Sequence, residues 1–145
     1  MTRPDGPPDA ANYDTRIDAV LIAAPGAPDR LTVALIALNG RIVARLDWQT
    51  TSGDHAAPQV IVVEAAGVDP ALLAERLPGI VDRAATLQAG LVVALGVDEI
   101  DVVAAATLGG STRLLVDPTV GDCVAAIVVA AEEARIPAGV FDVHR

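Results

Sequence analysis

Aromatic side chains are nearly missing from this chain, making up 2% of its 145 residues although 52% are hydrophobic. A core of this composition is built from Val, Ile, Leu and Ala, and it supplies no platform on which successive bases could stack. Lysine is absent altogether. The ten basic residues are all Arg and stand against nineteen acids, and the resulting formal charge of −9 repels a phosphate backbone. Nucleic acid is therefore not expected as a ligand. The single cysteine, Cys123, excludes an internal disulfide framework and a cysteine-built zinc site, and it suits a reducing compartment, the cytosol by default. No apolar run approaches the roughly 20 residues that span a bilayer, so no membrane segment is expected. Residues 1–15 are too polar and proline-rich for a signal-peptide core and read as a flexible leader.

What the chain has is length for one core and a regular alternation of two periods. At 145 residues, roughly two-thirds of the unfolded surface can be buried. Ala19 to Ala23 is a short continuous apolar run ended by Pro25-Gly26, the signature of a strand buried on both faces of a parallel sheet. Pro28 and Asp29 then open a segment with Leu31, Ala34, Leu35 and Leu38 on one helical face, and Asn39-Gly40 supplies a left-handed stop. Arg41 to Trp48 alternates as a strand near a sheet edge, with its second face partly wet. Gln49 to Pro58 has loop chemistry, so the second helix of the alternation is expected to be short or missing.

The next strand, Val60 to Val63, ends in the carboxylate of Glu64. Asp69-Pro70 is a helix cap and first turn, and Leu73, Leu77, Ile80, Ala84 and Leu87 continue at helical spacing past Pro78, which falls on the other face and is expected to bend the helix. Leu91 to Leu95 is a fourth strand, Asp98 caps a helix through Leu108 that Gly109-Gly110 ends, Arg113 to Val116 is a fifth strand, and residues 120–135 form the last helix. Five strands alternating with helices specify an α/β, doubly wound, five-stranded parallel sheet of flavodoxin/CheY-like type over residues 16–135. Residues 136–145 are a tail or the start of a linker. Ligands of such sheets bind at the carboxyl ends of the strands, so function is read just after Ile22, Val63, Val93 and Val116.

This order and spacing resemble the receiver domain of two-component response regulators. The most specific piece is Gly109-Gly110-Ser-Thr-Arg-Leu-Leu-Val-Asp117-Pro118, which is similar to the family's turn, fifth strand and Lys-Pro pair. In that family an acidic pair after the first strand holds magnesium, an aspartate ending the third strand accepts phosphate, a hydroxyl ends the fourth and a lysine ends the fifth. Metal and lysine neutralise charge on the transferred phosphoryl group. On this chain the acidic pair falls on Ala23 and Ala24, the acceptor on Glu64, the hydroxyl on about Leu95 and the lysine on Asp117. Alanines cannot ligate a hard cation, leucine cannot bond a phosphoryl oxygen, and Asp117 repels where a cation is needed. The resemblance thus implies a pseudo-receiver, a degenerate regulatory domain of bacterial signalling that works by contacts with proteins or other domains and stands, in many relatives, before an output module.

Glu64 has two readings: an imitation of phosphoaspartate, or a polar residue at a strand end facing water. The second is preferred, because the lysine and hydroxyl that would sense a mimic are missing. Glu64 and Asp117 together could also form an acidic pair, the basis of an alternative reading as a small α/β enzyme; a conventional phosphorylatable receiver is the other alternative. No third catalytic group accompanies the pair, so no enzymatic activity is expected. His55 and His144 lack partners at ligand spacing, no glycine pattern cradles a nucleotide, Ser52 and Ser111 lack a nucleophile elbow, and Cys123 sits inside a helix, so no metal or cofactor is expected.

Cys123 to Ala131 is apolar around its whole circumference, and Ile100 to Leu108 is similarly short of charge. These last two helices are expected to offer an apolar surface for a homodimer or a docked protein, through Val102, Ala105, Val124, Val128 and neighbours.

Overall fold

In the computed structural model, residues 17–49, 58–107 and 112–135 are described. The leader, residues 50–57 where the second helix was in question, Ser52, His55, Leu108, Gly109-Gly110, Ser111, His144 and the 136–145 tail lie outside them. Five strands, β1 (Asp18–Ile22), β2 (Arg41–Leu46), β3 (Val60–Glu64), β4 (Gly90–Leu95) and β5 (Thr112–Val116), form one parallel sheet in the order 2-1-3-4-5. Among the described residues four α-helices accompany them: α1 (Arg30–Ala37), α2 (Pro70–Leu87), α3 (Ile100–Ala106) and α4 (Val120–Arg135). The architecture is the doubly wound, flavodoxin/CheY-like one, and its switch point lies between β1 and β3.

The continuous apolar runs are explained by burial on both faces. Val20, Ile22, Ile61, Val63, Leu91, Val93 and Leu95 point to one side and pack under α2 and α3, against Leu73, Leu77, Ile80 and Val103. Their neighbours Ala19, Leu21, Val60, Val62, Val92 and Ala94 point to the other and pack under α1 and α4, against Leu31, Leu35, Cys123 and Ile127. Alternation along an extended chain makes this division automatic. Each of these large aliphatic side chains contributes about 1.5–3 kcal/mol by leaving water.

The two outer strands differ. β2 carries an irregularity in its pairing with β1 between Ala19 and Val20, and its Arg41 and Arg45 are exposed. Bulges and charges of this kind guard an edge against pairing with other chains. β5 shows no such break in its register with β4, and it leaves Leu114 39% and Val116 46% exposed.

Helix ends follow several routes. Asn39 takes the left-handed conformation (φ 56°) after α1, and the Gly40 N–H returns to the Leu35 carbonyl at 2.8 Å. Asp69 does not cap α2 with its side chain, contrary to expectation. The residue before a proline is held extended, and α2 starts on the preset φ of Pro70 at its first turn instead. Pro78 stays on the exposed face and α2 runs through it. Asp98 is no cap either: it lies in a 3-10 turn, Val97–Glu99, in which the Glu99 carboxylate accepts the Gly96 N–H at 2.7 Å. Thr119 and Asp122 form a reciprocal pair at the start of α4, the Thr119 N–H donating to Asp122 Oδ2 at 3.0 Å and the Asp122 N–H to Thr119 Oγ1 at 3.1 Å. No helix among the described residues is long and apolar enough to cross a membrane.

Candidate functional site

The carboxyl ends of β1, β3, β4 and β5 converge on the switch point, where a ligand of this fold would sit. Glu64 is there, at the end of the fully buried strand β3, and its own exposure is 0%. The expectation of a water-facing carboxylate is therefore corrected. Position 64 shares its side of the sheet with Val60 and Val62, beneath α1 and α4, so the side chain is directed into protein.

A buried carboxylate needs a cation and donors, and both are present. Arg30, the first residue of α1, forks onto it: Nε donates to Oε1 at 2.9 Å and Nη2 to Oε2 at 2.7 Å. The pair is two-pronged, with the guanidinium side chain 16% exposed. The Ala66 N–H adds a long contact to Oε2 at 3.4 Å. On the other side of the same residue, the indole Nε1 of Trp48 donates to the Glu64 carbonyl at 3.3 Å. Trp48 is itself buried, in the segment after β2, and it closes this segment over the end of β3. The hydrogen bonds with Glu64 raise the pKa of Arg30 further, against the opposing effect of burial, and the fields of Glu64, Cys123 and Asp117 add to the rise. The guanidinium is locked in its charged form.

The remaining positions of the comparison are equally altered. Ala23 and Ala24 are half-buried apolar residues, each packed against the core of a different face. Leu95 is buried at 1% exposure. Asp117 is exposed and left-handed (φ 46°), with its N–H donated to the Leu95 carbonyl at 2.8 Å. Its carboxylate stands beside Gly96, with Oδ1 3.6 Å from where a Cβ on that glycine would be. Glu64 and Asp117 thus share one edge of the sheet, but the direct partner of Glu64 is Arg30. An acid–base dyad of two carboxylates is not the geometry found. A hollow of about 380 Å³ opens beside it between β1 and β2, lined by Ala23, Ala24, Pro28, Thr32, Arg45 and Asp47 among others. Neither Glu64 nor Asp117 lines it.

Cys123 is fully buried on α4 near this cluster. Burial pushes its thiol up, and the nearby Arg30 only partly offsets that, so the neutral, unreactive form is held. No group of three or more His, Cys, Asp or Glu residues able to hold a metal ion occurs among the described residues.

No family model, curated protein or solved structure matches this chain.

The residues expected to form an apolar surface fall on two faces. α3 packs with α2 on one side of the sheet and α4 with α1 on the other, so the last two helices flank the β5 edge from opposite sides. Val102 and Val124 are half-buried against the two cores, Val128 is half-buried and Ala105 is exposed. The large apolar side chains most exposed in this region are Val97, Ile100, Leu114, Val116 and Val129.

Arg30, Trp48 and Glu99 were not singled out from the sequence. For Arg30 a signal existed: a cation in the first turn of a helix opposes the helix dipole, and such a placement asks for a compensating anion. For Trp48, the sole tryptophan of a chain so poor in aromatics was such a signal.

Proposed function

We propose that this chain is a receiver-like regulatory domain that does not take up phosphate and acts through contacts with other proteins, in bacterial signalling and in the cytosol. The observation that carries the reading is the state of the carboxylate at the acceptor position. A phospho-acceptor must present a free carboxylate oxygen to the donor, with a metal and a cation poised for the incoming charge. Here both oxygens of Glu64 are engaged by Arg30, inside the protein. The guanidinium takes the role that metal and phosphate would otherwise contest, and it comes from the chain itself. Alanines at 23 and 24 offer no oxygen side chain to magnesium. A fold that keeps its sheet and closes its chemical centre retains its surfaces, and surfaces recognise partners.

The test is incubation with acetyl phosphate and magnesium, read by intact mass. The expected result is no adduct, and a stable phosphoryl adduct would overturn the proposal. Trp48 gives a second readout, because its indole touches the Glu64 backbone. Its emission is expected to stay flat through millimolar magnesium.

A further inference from the structure

We draw no further inference here: the strongest candidate, the apolar surface patch of Val97, Ile100, Leu114 and Val116 left exposed along β5 and the turn after β4, carries nothing because nothing in the structure shows what covers it.

Discussion

At the residue scale the pair Arg30–Glu64 decides most about this molecule. A carboxylate with no exposure loses its hydration, and only the fork of a fixed guanidinium makes that tolerable. Arg30→Ala should therefore cost about 3–5 kcal/mol in urea unfolding, because it strands a buried charge. Replacing both partners by apolar residues, Arg30→Met with Glu64→Leu, should cost far less, and a double variant as unstable as the single one would show that the pair is more than mutual neutralisation. Cys123 gives a residue-level pH effect. Its folded-state pKa is raised by burial, so its contribution to stability is fully present below the pKa of the unfolded thiol and is lost as pH rises through the folded one. Wild type should lose stability above about pH 8.5 more steeply than Cys123→Ala, read from urea midpoints across that range. Parallel curves would remove the thiol from the alkaline response.

Elements were legible in the chain where one physical rule dominated. Runs such as Val60–Val63 and Leu91–Leu95 have no polar face, so only a strand covered on both sides suits them, and the sheet follows from five such segments. Helix starts were less legible, because Asp69 and Asp98 are capping residue types whose side chains take no cap bond once Pro70 and Glu99 organise those turns. The candidate site was half legible. Glu64 could be placed at a strand end from local pattern, but its partner is 34 residues away in sequence and arrives by helix packing that no local pattern states. The contact between α4 and β4 was also invisible. A Cβ at Gly90 would lie 2.6 Å from the Ala130 carbonyl oxygen and 2.8 Å from its Cβ, so helix and strand meet where only glycine fits. Gly90→Ala must push α4 outward, at a cost of about 1–3 kcal/mol. A urea midpoint equal to wild type would mean that α4 is not seated as closely as its backbone indicates.

For the whole molecule the dominant quantity is the formal charge of −9 on 145 residues. Ion pairs work against it to unequal extents. Arg30–Glu64 is inside the protein and shielded from salt, whereas Arg41–Asp18 and Arg113–Glu133 are exposed pairs worth about 0–1 kcal/mol each. Long-range repulsion among the excess acids opposes both the compact state and the approach of a second copy. Salt shortens the range of that repulsion from about 30 Å at 0.01 M to about 8 Å at 0.15 M, while the buried pair keeps its strength. Net repulsion among many acids should outweigh two exposed pairs, so the thermal midpoint should rise by a few degrees between these ionic strengths. A midpoint that falls with salt would mean that the exposed pairs carry more of the stability than their exposure allows, and that the excess acids are too dispersed to repel.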